Sequence, residues 1–252
     1  MANGADRDDV LARLYPEVAA GGFTRYDGFV EFYNRVNALL AEDSVVLDFG
    51  AGRGAWQYEM AGFHRHLRAI HERVGRVVGV DVDPVVEDNP SLAEARLIEP
   101  GAPIPYDDAT FDLAVADYVL EHVSAEDAPS VSAELLRVLK PGGWLAARTP
   151  NKWGVIGVGA RAVPNTLHTR VLRRLQPERL AEDVFPVRYA MNTRGDLARL
   201  FPEPHRLLVY GHNSEPRYFG SSVPAWRAAQ LVDRLTPPRW ASTLMVFVQK
   251  SG

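Results

Sequence analysis

Three carboxylates close three apolar runs in the first half of this 252-residue chain, and a glycine-rich turn follows the first. Asp48 ends the run that begins at Val45, and Gly50, Gly52 and Gly54 follow at alternate positions. Asp81 ends the run over 76–81, and Asp117 the run over 111–117. Such short, β-branched runs read as buried strands of a parallel sheet. Glycines after a strand permit positive φ and remove the Cβ, so a ligand can lie against bare backbone. Residues 56–73 then read as one helix whose first N–H groups point into the same crevice. A nucleotide or nucleoside is the usual occupant of a strand–glycine turn–helix unit, outside the carboxyl ends of the strands. Asp48, Asp81 and Asp117 all fall at that edge. Burying three acids together is costly without a cationic or hydroxyl-rich ligand. A polar, partly cationic cofactor is therefore expected.

The elements that must position these residues alternate through position 149. Phe29, Phe32, Tyr33, Val36, Leu39 and Leu40 repeat at helical spacing ahead of the glycine turn, although Tyr26 or Tyr33 could overhang the cofactor. Asn89-Pro90 opens a short helix to Ala95, and a third strand follows over 96–99. Ser124 with Asp127 resembles a helix start. Val131, Leu135, Val138 and Leu139 make that helix's apolar face, and Pro141-Gly142-Gly143 stops it before a fifth strand over 144–149. This rhythm predicts a doubly wound, Rossmann-like α/β fold with right-handed crossovers. After Pro150 the pattern breaks into short helices over 154–162, 166–175 and 194–201, the last capped by Asn192 or Thr193. An insertion there hangs over the ligand edge as a lid. Two closing strands, 206–210 and 243–248, enclose a polar-aromatic loop and a helix over 226–235. The expected organisation is N-terminal helices over the cofactor site (1–43), a cofactor-binding core (44–150), a helical acceptor-binding insertion (151–204) and closing strands with an inserted helix (205–252).

Composition excludes several chemistries. The chain is 46% hydrophobic and 24% charged, with net charge -4, so it carries no electrostatic footprint for nucleic acid or an anionic membrane. It has no cysteine, which removes disulfides, thiolate metal sites and cysteine nucleophiles. A polar, acidic N-terminus and the lack of an apolar run near ~18 residues predict a cytoplasmic protein without integral membrane contact. His64, His66 and His71 invite a metal reading, but without carboxylate or cysteine companions a solvated helix face is expected, and no metal.

The motifs together resemble the class I S-adenosylmethionine-dependent methyltransferases of the small-molecule branch. Asp48-Phe49-Gly50-Ala51-Gly52-Arg53-Gly54 resembles that family's D-x-G-x-G-x-G, and Val80-Asp81-Val82-Asp83-Pro84 its second motif. The stretch from Ile104 to Asp112 resembles L-P-F-x-D-x-S-F-D, Val119-Leu120-Glu121-His122-Val123 resembles V-L-E-H-V, and Leu136 to Gly143 resembles R-V-L-K-P-G-G. The resemblance implies a seven-stranded sheet and S-adenosylmethionine as cofactor. It places the methionine end against Asp48, Gly50, Ala51, Gly52 and Gly54, with Asp117 and Tyr118 nearby. Asp81 would accept both ribose hydroxyls, and Val82, Ile104 and Leu120 would sandwich the adenine. One departure stands out. The position that usually meets the adenine amino group is Pro100 here, leaving Glu99 or the backbone of Gly101 and Ala102 for that contact.

The resemblance implies in-line transfer of a methyl group to an O or N nucleophile, driven by alignment and exclusion of water. A base is needed only where the acceptor must lose a proton early. His122 is the foremost candidate, with His168, Tyr189 and His212 behind it, and Asn151 as a contact to cofactor or acceptor. Arg161, Arg170, Arg173 and Arg174 either recognise an anionic group or form a solvated face. A small-molecule acceptor such as a sugar, natural product or lipid head group is expected, with oligomeric state open. The rivals are an NAD(P)-dependent oxidoreductase, since Gly50-x-Gly52-x-x-Ala55 satisfies the dinucleotide fingerprint, aminopropyl transfer, and an inactive cofactor-binding homologue. Asp48 would repel a pyrophosphate at the turn.

Overall fold

The computed structural model describes residues 4–155, 188–216 and 222–252, with side chains from residue 8 onward. The expected helices over 154–162 and 166–175, together with Arg161, His168, Arg170, Arg173 and Arg174, lie almost wholly outside the described residues. A seven-stranded sheet carries the fold: β1 (Val45–Phe49), β2 (Arg76–Asp81), β3 (Glu94–Leu97), β4 (Phe111–Asp117), β5 (Leu139–Pro150), β6 (Arg206–His212) and β7 (Thr243–Gln249). Their order is β3-β2-β1-β4-β5-β7-β6, with β1 to β5 parallel and β7 antiparallel to both neighbours. β1 lies between β2 and β4, so the chain reverses its winding at the edge that carries Asp48, paired with Val115, and Asp117 two residues further along β4.

Helices cover both faces because the central strands are apolar on both sides. On one face α2 (Gly28–Ala38) sets Phe32, Tyr33 and Val36 against Val46, Val115 and Phe247. Asp27 caps it, its Oδ1 accepting from Phe29 N at 2.9 Å and Val30 N at 3.0 Å. On the other face α5 (Ala128–Val138) buries Val131, Leu135 and Val138, joined by Leu197 of α6 (Arg194–Leu200), which Thr193 caps as expected. A smaller cluster joins α1 (Gly4–Leu14) to α7 (Val223–Leu235) through Val10, Leu11, Tyr15 and Trp226.

Three sequence expectations are corrected. The single helix over 56–73 is α3 (Trp56–Glu59) and α4 (Gly62–Arg68) followed by a 3-10 turn, broken where Met60 is extended and Gly62 takes φ 57°. No helix forms over 89–95, because the Asn89 side chain accepts from Ser91 N and donates to Ala51 O of the glycine turn instead. β3 therefore starts at Glu94 rather than Arg96. Pro141-Gly142-Gly143 does not separate α5 from β5 outright; β5 begins at Leu139 and carries a register shift against β4.

Leu135 is fully buried between α5 and the sheet. Leu135→Ala is expected to lower unfolding stability by about 3 kcal/mol, read in urea as an earlier midpoint at unchanged slope.

Candidate active site

The glycine turn is held from both sides. Gly50 N donates to Val80 O at 2.8 Å, tying the turn to β2. Gly50 has φ 77°, and a Cβ there would collide with Val119, so only glycine fits. Asn89 clamps the far side: Nδ2 donates to Ala51 O at 3.1 Å and Gly52 O at 2.9 Å, while Oδ1 accepts from Ser91. Its amide also fills the space a Cβ at Gly54 would need. The result is a bare-backbone cradle at the end of β1.

Asp81 stands beside this cradle. Its Oδ2 accepts from Gly52 N at 2.8 Å and its Oδ1 from Asp83 N at 2.9 Å. An ionised carboxylate offers about four acceptor sites, so each oxygen keeps one for a ligand hydroxyl. Val82, next in sequence, is 42% exposed. Ile104 and Leu120 instead belong to the core cluster, and Glu99 is exposed beyond β3. Tyr118 follows β4 with φ 57°, its N–H donating to Arg148 O at 3.0 Å and its ring 4.7 Å from the Arg148 guanidinium.

The clustered acids do not wait for a cationic ligand. Arg68 of α4 donates to Asp48 Oδ2 at 2.8 Å, both side chains being buried. Arg148 of β5 grips Asp117 with two nitrogens, Nε to Oδ1 and Nη2 to Oδ2 at 3.0 Å, and the Tyr33 hydroxyl donates to Oδ2 at 3.0 Å. Tyr33 also lies under Arg68, with 5.2 Å between ring centroid and guanidinium, so it touches both pairs. Burial pushes the Asp117 carboxyl up, but Arg148, Arg68 and Tyr33 outweigh it and hold it below the usual range. Two of the three strand-end acids are thus neutralised from within, and Asp81 alone lacks an arginine among the described residues. Sequence reasoning missed Arg68 and Arg148. Arg148 carried a signal, since an arginine inside an otherwise apolar strand needs a buried acid.

Glu121 is a third residue to which the sequence reading gave no role of its own. It is 4% exposed; Thr149 Oγ1 donates to its Oε2 at 3.1 Å, and Asn192 Nδ2 donates to Thr149 Oγ1 at 2.7 Å. Its backbone oxygen accepts from Arg188 N at 2.7 Å. Burial pushes the Glu121 carboxyl up to about 7. His122, its neighbour, closes the 3-10 turn Leu120–His122, its N–H donating to Val119 O at 2.9 Å.

A cleft of about 990 Å³ opens at the same edge. Asp8 and Leu11 of α1, Asp27 and Phe29 at the start of α2, Glu59, His64, Tyr118, Tyr189 and Glu215 line it. His122 is not among the lining residues. Asn151 touches the cleft, but its amide is structural, Nδ2 donating to Arg239 O and Ala241 O and Oδ1 accepting from Trp153 N. His212 bonds Tyr26 O at 3.0 Å. His64 leaves the solvated face expected of it and bonds Asp27 at 2.8 Å, while His66 stacks on Phe63 and His71 packs edge-on to Trp56.

Residues 47–147 match a family model described as a methyltransferase domain. No curated protein sequence matches the chain. Solved structures share its fold: a SAM-dependent methyltransferase of Methanosarcina mazei with TM-score 0.50 and 17% identity, covering 86% of this chain and 97% of that one. The (4+2)-cyclase SpnF aligns with TM-score 0.53 and 18% identity over 96% and 93% of the two chains. A SAM-dependent methyltransferase of Archaeoglobus fulgidus aligns with TM-score 0.50 and 14% identity over 97% and 94%. Over residues 47–147 the chain is similar to a methyltransferase domain, and its fold is that of the S-adenosylmethionine-dependent methyltransferases above; S-adenosylmethionine is the cofactor that likeness implies. The glycine cradle and the spare acceptor sites of Asp81 fit that group.

The Glu121 carboxyl titrates near 7 against an ordinary 4.5, so folding favours its protonated form. The resulting penalty is absent below about pH 4.5, grows through about pH 7 and is constant above it. Glu121→Gln removes it, and the variant is expected to gain roughly 3 kcal/mol of stability at alkaline pH and nothing at acid pH. Thermal unfolding across the pH range reads the difference.

Proposed function

We propose that the chain transfers a methyl group to an O or N nucleophile of a small molecule bound in the 990 Å³ cleft. The observation that carries this reading is the position of that cleft. Tyr118, Pro150 and Asn151 bring it to the carboxyl ends of β4 and β5, where cofactor and acceptor must meet. Its size suits a small molecule. The net charge of -4 disfavours nucleic acid. No helix among the described residues is long and apolar enough to cross a membrane.

The cofactor supplies a methyl group already activated on a cationic sulfur. The chain's part is placement. Asp81 orients the ribose hydroxyls, and the backbone from Gly50 to Gly54, with Ala51, supports the methionine end. Val82 offers an apolar face for the adenine, with Ile104 supporting from the core and Glu99 at the outer rim. Asp48 and Asp117 act through their arginines, holding Arg68, Arg148 and Tyr118 in fixed positions. The helices of 1–43 cover the site, as the presence of Asp8, Leu11 and Phe29 in the cleft wall supports, and Asn151 and Tyr189 contribute to the same wall from within 151–204. His122 lies outside the lining of the cleft, which favours another proton acceptor wherever one is required.

Asp81→Asn keeps the shape of the side chain but removes its charge. Calorimetric titration with adenosylhomocysteine is expected to show affinity falling by at least about tenfold, or ~1.4 kcal/mol. Unchanged affinity would contradict the ribose assignment.

A further inference from the structure

The acceptor cleft contains a hydrogen-bonded histidine–aspartate pair that the cofactor does not account for. His64 Nε2 lies 2.8 Å from Asp27 Oδ2, and both residues line the cleft. The carboxylate is fixed, because its other oxygen caps α2 by accepting from Phe29 N and Val30 N. The imidazole is fixed as well, packed against Phe29 at 5.4 Å and Phe23 at 6.5 Å between ring centroids. A carboxylate accepts only, so Nε2 carries the proton in this bond and Nδ1 carries the lone pair. Among the described residues nothing bonds Nδ1. This is the arrangement of an oriented general base, in which the carboxylate sets the tautomer and stabilises the imidazolium.

The rest of the wall indicates what such a base would act on. Asp8, Glu59 and Glu215 line the same cleft, with Thr24 donating to Glu215 at 2.7 Å. No lysine or arginine occurs among its described lining residues. Carboxylates together with Phe29, Tyr118 and Tyr189 favour an ammonium group over a phosphate or carboxylate. An ammonium has no lone pair and cannot take a methyl group until it loses a proton.

We propose that His64, oriented by Asp27, is the general base of this enzyme and that its acceptor is an amine bound in the acid-lined cleft as its ammonium ion. The inference rests on the small-molecule reading above and narrows it. Nδ1 of His64 takes one proton from the ammonium. The freed nitrogen lone pair forms the new N–C bond as the methyl–sulfur bond breaks. The electron pair of that bond stays on sulfur, leaving a neutral thioether and a methylated ammonium.

The test uses the full-length enzyme, methyl-labelled S-adenosylmethionine and a small-molecule extract of the source cells as acceptor pool. The wild type is expected to label products retained on a cation exchanger. His64→Ala is expected to lose about a hundredfold in labelling rate, to recover at least about tenfold of it with added imidazole, and to bind adenosylhomocysteine as the wild type does. Asp27→Asn preserves the helix cap and is expected to lose about tenfold. His66→Ala, on the exposed side of the same helix, is expected to label normally. Full activity in His64→Ala, a loss that imidazole does not restore, or labelled products without a basic nitrogen would each overturn the proposal. A wild type that binds adenosylhomocysteine yet labels nothing in the extract overturns the small-molecule reading itself.

Discussion

The architecture of the site depends on cancelling negative charge where the sheet changes its winding. The switch between β1 and β4 places Asp48 and Asp117 near one another in the interior, and two isolated carboxylates there would each carry a large desolvation penalty. Arg148 outweighs that penalty at Asp117, while at Asp48 burial still holds the carboxyl above its ordinary range and Arg68 offsets only part of it. Tyr33 joins the two pairs by donating to Asp117 and lying under Arg68. The helix that supplies Tyr33 is capped by Asp27, and α4, which supplies Arg68, also supplies His64. The elements that neutralise the strand ends therefore also line the cleft, through Asp27, Phe29 and His64.

This alters the reason to expect a methyl donor rather than a dinucleotide in the crevice. The argument from the sequence was repulsion between Asp48 and a pyrophosphate. With Arg68 bonded to Asp48 that repulsion is largely cancelled, so the charge at Asp48 alone discriminates weakly. What distinguishes the site is the cradle, with Asn89 pressed against Gly54 and Val119 against Gly50, and the methyltransferase domain over 47–147. Asp81, the one strand-end acid without an arginine among the described residues, keeps a spare acceptor site on each oxygen, which is what binding a ribose diol would require.

The parts of the fold written in local pattern were legible. β1, β2 and β4 are apolar on both faces and read directly as strands, and α2, α5 and α6 were visible from their apolar spacing or their caps. The misread segments are those where one side chain or one backbone torsion overrides the pattern. Asn89 diverts its segment from a helix by bonding the glycine turn, and Gly62 breaks a helix that periodicity alone would continue. β3 is a half-exposed edge strand, so its pattern is weak. In the site, Asp48, Asp81 and the glycines were legible because they adjoin strand ends in sequence. Arg68 and Arg148 stand 20 and 31 residues from the acids they neutralise, and only the sheet order brings them together. The His64–Asp27 pair spans 37 residues and left no local trace.

A double-mutant cycle on Asp117 and Arg148 tests the central claim most directly. If these residues exist to neutralise one another, Arg148→Gln alone leaves a buried, unpaired carboxylate and is expected to cost about 3 to 5 kcal/mol of unfolding stability. Adding Asp117→Asn should then restore most of that loss, giving a coupling energy of about 2 kcal/mol or more. Additive losses from the two changes would show that the pair is not what makes the strand ends tolerable, and would contradict the account.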